Sequence, residues 1–449
     1  MNKKISVGLA ITIAIIAMTV TLSVTMILSR QLYDKTVTAV QEKASMYDKL
    51  AELDKYVRSN GYYDINQETL LDTIASGYML GTGDRNAVYY TAKAYKELQD
   101  VQNGVLVGIG VDIVKDSSSG YAKVIKVYSG SPAEEIGIER GGYITAVDGV
   151  DVKTMASRDT VESKLRGEAG TSCAIKYLSP ISDPKEFTVQ RRSYARPTVE
   201  FQMLDNQVGY IRIRNFSTGT PSELEYAVSQ VQGSGAVSLV LDLRDNAGGL
   251  LSSAASCVDM LVPEGPIAFA AYKDSETPKT IATSDAKEVD LPMICLVNGS
   301  TASSAELFAA SLREFGKARL VGTTTFGKGT IQASPQKLSD GSAVVVTVAR
   351  LLTGQQNSFD GTGLTVDVEA ALTADDQQAY YDMTVENDPQ IKRALEVARS
   401  VAAGGSAYQE PSEPAASEEL QPQSQAEGDV PSSQPESQSE ADSSSESEG

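Results

Sequence analysis

A chain of 449 residues exceeds the size at which a single hydrophobic core keeps growing, so two or three domains are expected. It contains no histidine, which excludes a Ser-His-Asp triad and removes the commonest metal ligand. Its net charge is −20. Residues 403–449 carry 11 acidic and no basic side chains. Binding to nucleic acid requires a basic surface, so we do not expect this chain to bind it.

Residues 5–29 form an uncharged run of 25 residues, preceded by Lys3 and Lys4 and closed by Arg30. A helix that spans a bilayer needs about 20 apolar residues, whereas the apolar part of a signal peptide has about 7 to 15. The length therefore predicts a transmembrane anchor within residues 1–31. The two lysines predict a cytoplasmic N-terminus, with the rest of the chain on the extracytoplasmic side of the cell membrane. The alternative is a cleaved signal peptide and a secreted protein.

The remaining chain divides into four regions. Residues 32–95 have apolar positions three and four apart, which predicts a helical segment with a break near Gly81. Residues 96–191 alternate short Val- and Ile-rich runs with turn residues, which indicates a separate strand-rich domain. Residues 192–402 repeat the order strand, glycine-rich turn, helix, which predicts an α/β core with sites at the strand ends. Residues 403–449 are too poor in apolar groups to fold, so we expect a disordered acidic tail.

One segment combines a strand end, a turn of small residues and a helix start: residues 297–306 (VNGSTASSAE). A hydroxyl at such a position lies near unpaired backbone N–H groups, which acyl transfer requires for the oxyanion. Ser303 and Glu306 also have the spacing of a capping box, which serves an ordinary helix. This segment alone leaves the two interpretations open.

Two further segments are rich in glycine. Residues 322–332 (GTTTFGKGTIQ) place Lys328 in a turn, and Gly329 stands where a phosphate-binding loop requires Ser or Thr, which argues against nucleotide binding. A lysine acts as a general base only when it is uncharged, which burial favours, and the alternative is a solvated surface lysine. Residues 242–249 (DLRDNAGG) end in paired glycines, whose backbone N–H groups can face a ligand.

Taken together, the order and spacing of these segments resemble the C-terminal processing (tail-specific) peptidase family. Ser303 and Lys328 lie 25 positions apart, and Gln332 follows four positions after the lysine. The resemblance implies a multidomain α+β chain with an α/β protease core of the Clp/crotonase kind, acting as a serine endopeptidase through a Ser-Lys dyad. Ser303 would be the nucleophile, Lys328 the general base and Gln332 the residue that orients the lysine. The implied oxyanion hole consists of backbone N–H groups of Gly248, Gly249 and Ser304.

The strand-rich region resembles the PDZ domain that this family inserts. The resemblance rests on residues 104–111, 130–138 and 141–149. PDZ domains bind an extended C-terminus at a sheet edge, which implies protein or peptide substrates as partners. The candidate carboxylate loop consists of Gly108, Ile109, Gly110 and Val111. Arg166 also matches the family and would couple peptide binding to activity, with an ordinary surface ion pair as the alternative.

Several expectations complete this interpretation. The three cysteines, Cys173, Cys257 and Cys295, follow no metal-ligand spacing and are odd in number, so we expect buried apolar roles for them. The proposed chemistry needs no metal or cofactor. A homodimer is left open. Two rival functions are a catalytically silent PDZ scaffold at the membrane and a non-peptidase hydrolase that uses the same dyad.

Overall fold

The computed structural model describes residues 7–103, 105–204, 207–285 and 287–402. Contacts divide the chain into two units, each described separately below. The first unit comprises Met1–Gln99 and Ile331–Ala349, and the second comprises Asp100–Thr330 and Arg350–Gly449. The predicted disordered tail, residues 403–449, lies outside the described residues.

The secondary structure alternates between helices and short strands. The helices are α1 (Val7–Asn60), α2 (Gln67–Gly81), α3 (Ala92–Gln102), α4 (Pro132–Glu135), α5 (Arg158–Leu165), α6 (Thr220–Gly233), α7 (Leu251–Asp259), α8 (Ser304–Glu314), α9 (Ala374–Ala379) and α10 (Pro389–Ala402), with 3₁₀ helices at Val152–Thr154 and Tyr380–Asp382. The strands are β1 (Val88–Tyr90), β2 (Val105–Gly108), β3 (Val111–Lys115), β4 (Ala122–Val127), β5 (Tyr143–Val147), β6 (Val150–Asp151), β7 (Ser172–Leu178), β8 (Lys185–Gln190), β9 (Arg192–Ala195), β10 (Val199–Leu204), β11 (Val208–Ile213), β12 (Ser238–Asp242), β13 (Gly265–Tyr272), β14 (Lys279–Ser284), β15 (Met293–Val297), β16 (Ala318–Gly322), β17 (Thr330–Gln332), β18 (Gln336–Lys337), β19 (Ala343–Val345), β20 (Thr347–Thr353) and β21 (Val368–Glu369).

The first unit combines helices with a small antiparallel sheet. Helix α2 begins where the Asn66 side chain accepts the Thr69 N–H at 3.0 Å, which satisfies one of the free donors at a helix start. It ends at Gly81, as the sequence predicts. The sheet has the order β1-β19-β18. The predicted helical segment therefore also contains β1, whose partner β19 comes from a distant part of the chain that local periodicity does not reveal.

The predicted membrane anchor begins outside the described residues, and the rest of residues 5–29 falls in the first half of α1. Among the residues that the structure describes, no helix has the combination of length and apolar character that crossing a bilayer requires. The anchor stays a prediction from the sequence.

The strand-rich region of the second unit is a small antiparallel domain. Its sheet has the order β3-β4-β5-β7-β8, with β6 paired to β5, and β2 pairs separately with β9. Side chains of β7 alternate strictly between exposed and buried, so that Cys173, Ile175 and Tyr177 enter the core. Helix α5 adds Val161 and Leu165 to the same core. The alternation is typical of a sheet with one face in solvent.

The larger part of the second unit is built on a six-stranded sheet in the order β10-β11-β12-β15-β16-β21. Strand β10 is antiparallel to β11, and the other neighbours are parallel. Every residue of β12 and β15 is buried, as the apolar runs in the sequence predict for strands covered on both faces. Helix α10 packs on the sheet through Ile391 and Ala394, which lie in one core cluster with Val240 and Ile294. In a second sheet, β13 is paired antiparallel to β14.

The direction of the parallel strands decides where a site can form. Strands β12, β15 and β16 are adjacent and parallel, so their carboxyl ends lie at one edge of the sheet. Three turns leave that edge, and we name them the glycine turn (residues 246–249), the serine turn (residues 298–303) and the lysine turn (residues 323–329).

Candidate active site

Backbone hydrogen bonds join the three turns to one another. The Ala302 N–H in the serine turn donates to the Asn246 carbonyl of the glycine turn at 2.9 Å. The Phe326 N–H in the lysine turn donates to the Thr301 carbonyl of the serine turn at 3.0 Å. The structure therefore brings together the three segments that the sequence singles out.

Ser303 has a strained backbone at the junction between the serine turn and α8. Its φ of 60° and ψ of −121° lie in a region that residues other than glycine rarely occupy. Its carbonyl accepts two N–H groups from the first turn of α8, those of Glu306 at 2.9 Å and Leu307 at 3.1 Å. A strained strand-to-helix connection of this kind presents a nucleophilic side chain at the end of a sheet.

The carboxylate of Glu306 ties the serine turn to the lysine turn. Its side chain is fully buried, and all four of its partners are N–H or O–H groups. Oε2 accepts the Ser303 N–H at 2.8 Å and the Lys328 N–H at 2.9 Å. Oε1 accepts the Gly327 N–H at 2.7 Å and the Thr325 hydroxyl at 2.5 Å. Because both N–H groups donate to the same oxygen, the distance between the backbone nitrogens of Ser303 and Lys328 cannot exceed the sum of 2.8 and 2.9 Å.

The backbone on both sides of Lys328 lies so close to a neighbouring segment that only glycine fits there. A Cβ on Gly327, where φ is +89°, would lie 2.7 Å from the Gly363 nitrogen. A Cβ on Gly329 would lie 2.7 Å from the backbone nitrogen of Asp360. Lys328 itself is partly buried, and within the described ranges it forms no ion pair. Gln332 ends β17 and belongs to the first unit, whereas Ser303 and Lys328 belong to the second.

The glycine turn contacts the serine directly. A Cβ on Gly248 would lie 3.1 Å from the Ser303 Cβ and 2.9 Å from the Ser304 Oγ, so the contact requires glycine. The Gly248 N–H already donates to the Asn246 Oδ1 at 2.8 Å. The Gly248 N–H, one of the three predicted oxyanion donors, is therefore already hydrogen-bonded within its own turn.

The other two predicted donors belong to Gly249 and Ser304. Gly249 forms a parallel bridge with Phe216. The hydrogen bonds of this bridge join Phe216 to Gly248 and Leu250, the two neighbours of Gly249. The N–H and carbonyl groups of Gly249 itself therefore face away from Phe216. The Ser304 hydroxyl lies on that side and donates to the Gly249 carbonyl at 3.4 Å. The Ser304 N–H is the first of α8, where backbone donors lack a partner within the helix.

Asp245, which directly precedes the glycine turn, is hydrogen-bonded to Asn298 of the serine turn. The Asp245 N–H donates to the Asn298 Oδ1 at 3.1 Å, and the Asn298 Nδ2 donates to the Asp245 Oδ1 at 2.9 Å. Asp245 also has a positive φ of 62°. A second strained residue therefore lies in the connections around Ser303.

A buried charge network lies beneath the glycine turn. Asp242 accepts two hydrogen bonds from the Arg244 guanidinium, at 2.9 and 2.7 Å, and one from the Tyr210 hydroxyl at 2.7 Å. Arg244 also pairs with Asp388 at 2.8 Å. Burial raises the pKa of Asp242, but the charges of Arg244 and Arg212 outweigh it and hold that pKa well below its usual range. The carboxylate therefore stays ionised and fixes the start of the turn.

A cavity of about 360 Å³ opens beside the glycine turn. Its lining includes Val101, Leu106, Arg196, Arg214, Gly248 and Gly249. The Arg196 guanidinium pairs with Asp112 at 3.1 Å, and that of Arg214 pairs with Glu200 at 2.7 Å. The cavity has the size of small-molecule and side-chain pockets in proteins.

The predicted carboxylate loop of the strand-rich domain joins β2 to β3. Gly110 has a φ of +85°, and its carbonyl accepts the Tyr128 N–H at 3.0 Å. The Ile109 carbonyl accepts the Ala133 N–H at 2.8 Å. Gly108 forms an isolated bridge with Arg166, whose guanidinium pairs with Glu162 at 2.9 Å. The backbone of Arg166 thus lies beside the loop, while its side chain is bound within its own helical region.

The cysteines and the carboxylates form no further site in the part of the chain that the structure describes. Cys173, Cys257 and Cys295 are free and buried, and burial raises the pKa of the Cys257 thiol to about 12. Among the described residues, no group of three or more Cys, Asp or Glu side chains is arranged to hold a metal ion.

Sequence reasoning missed part of what holds this site. It assigned Glu306 only a capping role, although the spacing to Ser303 that suggested the cap is also what places the carboxylate beside the serine. It did not single out Asn246, although an Asn two residues before a glycine is typical of a side chain that bonds the backbone of its own turn. Nothing in the sequence indicated the pairing of Asp245 with Asn298, because that contact joins two separate turns.

The chain is similar in sequence to known proteins and protein families. Residues 207–370 match the family model for peptidase family S41, and residues 123–178 match that for the PDZ domain. The carboxyl-terminal-processing protease of a Synechocystis species is 34% identical over 310 residues, which cover 68% of this chain and 71% of that protein. The carboxy-terminal processing protease CtpA of Bacillus subtilis is 30% identical over 338 residues, covering 75% and 72%.

A solved structure extends the comparison. The photosystem II D1 C-terminal processing protease aligns over 79% of this chain and 91% of its own, with 26% identity and a TM-score of 0.46. Both sequence relatives share 30% or more of their residues with this chain over more than two thirds of its length. The chain therefore belongs to peptidase family S41, the carboxyl-terminal processing proteases, and is a serine-type peptidase that contains a PDZ domain.

Proposed function

We propose that this chain is an endopeptidase that selects protein substrates by their C-terminal ends and cleaves them with Ser303 and Lys328 as a catalytic dyad. The hydrogen bonds of Glu306 carry the proposal. One buried oxygen accepts the backbone N–H groups of both Ser303 and Lys328, so the turns that bear nucleophile and base are held together. The strained backbone of Ser303 supports the same assignment, because such strain is concentrated at active sites.

In the proposed reaction, the Ser303 hydroxyl attacks the carbonyl carbon of the scissile peptide bond, and its proton passes to the uncharged Lys328 amine. The same proton then passes to the leaving amine as the tetrahedral intermediate collapses to an acyl-enzyme. Water, deprotonated by Lys328, hydrolyses the ester and restores the free serine. Gln332 is proposed to orient the lysine.

The negative oxygen of the tetrahedral intermediate needs donors that are in position beforehand. We assign this role to the backbone N–H groups of Gly249 and Ser304, because the Gly248 N–H is already bonded to Asn246. The cavity beside the glycine turn is proposed to receive the substrate segment at the scissile bond, since Gly248 and Gly249 form part of its wall.

Two substitutions and a matched control test the dyad. Ser303→Ala and Lys328→Ala are expected to lower kcat/KM for an unfolded protein substrate by at least about 10⁴-fold while the thermal unfolding curve is retained. Ser300→Ala removes an exposed hydroxyl from the same turn and is expected to keep wild-type activity. Undiminished cleavage by Ser303→Ala would exclude this mechanism. Peptide binding without cleavage by the wild-type chain would instead support the silent scaffold.

Selection of C-terminal ends is proposed to reside in the loop formed by Gly108, Ile109, Gly110 and Val111, with Arg166 beside it as the residue that couples binding to activity. Two labelled peptides of identical sequence, one ending in a carboxylate and one in an amide, test the selection. We expect the carboxylate peptide to bind at least about tenfold more tightly, because backbone N–H groups would recognise the charge. Equal affinities would contradict this part of the proposal.

The location at the cell membrane is proposed from the sequence alone, on the uncharged run of residues 5–29 and its flanking lysines. Fractionation of cells that express the full chain tests it. We expect the chain in the membrane pellet after a carbonate wash, and a chain that begins at residue 32 in the soluble fraction. Recovery of the full chain in the soluble fraction would contradict an anchor.

A further inference from the structure

The 3₁₀ helix Tyr380–Asp382 contacts Asp245, the residue directly before the glycine turn, through a hydrogen bond. The Tyr380 hydroxyl donates to the Asp245 Oδ2 at 2.7 Å. The Tyr380 ring also faces the buried Arg244, whose guanidinium carbon lies 5.8 Å from the ring centroid. Tyr380 is therefore held by two residues, Asp245 and Arg244, that lie just before the turn carrying the proposed oxyanion donor.

Asp245 is a residue whose conformation depends on its partners. Its φ of 62° is unfavourable for a side chain with a Cβ, so contacts elsewhere must stabilise it. Asn298 bonds one carboxylate oxygen, and Tyr380 bonds the other. Arg212 lies 3.5 Å from the oxygen that Tyr380 binds. Loss of the tyrosine hydroxyl would leave that oxygen with a single, more distant partner.

The consequences of moving Asp245 reach Ser303 by two short routes. Asn246, the next residue, accepts the Gly248 N–H with its side chain and the Ala302 N–H with its carbonyl. Asn298, the partner of Asp245, opens the turn that ends at Ser303. A displacement of Asp245 is therefore expected to move both the oxyanion donors and the nucleophile.

The PDZ domain holds the same 3₁₀ helix from another side. Lys123 of β4 pairs with Asp382 at 2.6 Å. The Arg140 Nη2 donates to the carbonyl groups of Tyr381 at 2.8 Å and of Met383 at 3.0 Å. A segment of only a few residues thus connects the PDZ domain to the hydrogen-bonded pair of Asp245 and Asn298.

We propose that Tyr380 is a positioning residue for peptide hydrolysis, which holds the glycine turn in its active geometry and links it to the PDZ domain through the segment Tyr380–Asp382. The inference rests on the proposed function, because it presumes that Ser303 and the glycine turn perform the reaction. Tyr380 touches no reacting atom and acts only through Asp245.

Replacing Tyr380 with Phe tests the first part of the inference, and Tyr381→Phe is the matched control. The Tyr381 side chain is 43% exposed, and its hydroxyl forms no hydrogen bond within the described residues. For Tyr380→Phe we expect kcat to fall about tenfold, KM to change by less than about twofold, and the rate of acylation by a fluorophosphonate probe to fall in parallel with kcat. Wild-type kcat in Tyr380→Phe, or an equal loss in Tyr381→Phe, would overturn the assignment.

A double-mutant cycle tests the link to the PDZ domain. Lys123→Ala is expected to lower kcat by less than Tyr380→Phe, and the double variant is expected to match Tyr380→Phe alone, because both changes act through one segment. Multiplicative effects would overturn the link. Ser303→Ala separates the two hypotheses: if it is inactive while Tyr380→Phe is fully active, only the role of Tyr380 is lost. If Ser303→Ala is active, the proposed function itself is wrong.

Discussion

The two glycine-rich loops proposed to contact substrates differ in how side chains hold them. In the glycine turn, side chains fix the backbone: Asn246 bonds the Gly248 N–H with its Oδ1 and the Ile213 carbonyl with its Nδ2. In the PDZ loop, backbone groups do so, because the carbonyls of Ile109 and Gly110 accept N–H groups of neighbouring segments. A buried polar side chain such as Asn246 preorganises donors for a transition state, whereas a loop without such a side chain can adjust to different peptide ends.

The largest effect is expected where the side-chain network is densest. Glu306→Gln keeps the shape of the side chain but places an NH₂ group against donors, because both carboxylate oxygens accept hydrogen bonds. Since the serine and lysine turns would separate, we expect kcat/KM to fall about 1000-fold and the free energy of unfolding to fall by about 3 kcal/mol. Hydrolysis of a protein substrate and chemical denaturation measure the two quantities.

Glu314→Gln is the matched control for that prediction. Glu314 lies at the other end of α8 and accepts hydrogen bonds from the Thr353 hydroxyl, the Gln355 N–H and the Asn357 side chain. It should lose similar stability and keep its activity at temperatures well below unfolding. If both variants lost activity equally, the effect of Glu306 would be one of stability alone, and the contrast between the two loops would lose its main support.

The next largest effect is expected inside the glycine turn. Gly248→Ala introduces a Cβ at a φ of +98°, 2.9 Å from the Ala302 carbonyl oxygen and 3.1 Å from the Ser303 Cβ. The turn has to move away from the serine, so we expect kcat/KM to fall about 100-fold with binding to the PDZ domain unchanged. Full activity would show that the turn is as adaptable as the PDZ loop and would break the comparison.

Much of the site could be predicted because its parts are local. The repeated order of strand, glycine-rich turn and helix predicted a core with sites at the strand ends, and the family resemblance placed the serine, lysine and glycine turns in one site. The buried cysteines followed from their number and spacing. Each of these features could be predicted either from a few neighbouring residues or from the resemblance to a family, which implies the fold of that family.

What escaped prediction depends on contacts between distant segments. Glu306 and Lys328 are separated by 22 positions, and no local pattern reveals that a capping glutamate also receives an N–H from another turn. The hydrogen bond of the Gly248 N–H was not predicted, because paired glycines suggest unpaired backbone donors. In the structure the Asn246 side chain accepts that N–H. Tyr380 lies 135 positions from Asp245, in a polar stretch with no motif.

A moderate effect is expected in the PDZ loop. Gly110→Ala puts a Cβ at a φ of +85° and 2.1 Å from the Ser131 Cβ, so the loop must shift. We expect a peptide with a free C-terminal carboxylate to bind about tenfold more weakly, measured by fluorescence anisotropy. The control is Gly137→Ala, which has a φ of +76° in the same domain but open space around its Cβ. If the two variants bound equally, the loop would not be the binding site.

The smallest effect is expected at Glu200 of β10, an ion-paired residue outside both loops. It pairs with Arg214 at 2.7 Å and with Lys126 of the PDZ domain. Burial raises the pKa of Glu200, but the hydrogen bonds and charges of Arg214 and Lys126 outweigh it and lower that pKa to about 2. Its stabilising contribution is therefore complete above the ordinary value near 4.5 and is lost as the pH falls from there towards 2.

Glu200→Gln should accordingly reduce the free energy of unfolding by about 1 kcal/mol at pH 7, a modest amount because 35% of the side chain is exposed and solvent screens the pair. The difference from wild type should shrink as denaturation is repeated at pH values below 4.5. Glu225→Gln, on the exposed side of α6, is the control and should keep wild-type stability at pH 7. Because Glu200 contacts neither loop, we expect Glu200→Gln to keep wild-type catalysis and wild-type peptide binding. Loss of only one of these activities would show that one loop depends on this ion pair more than the other does.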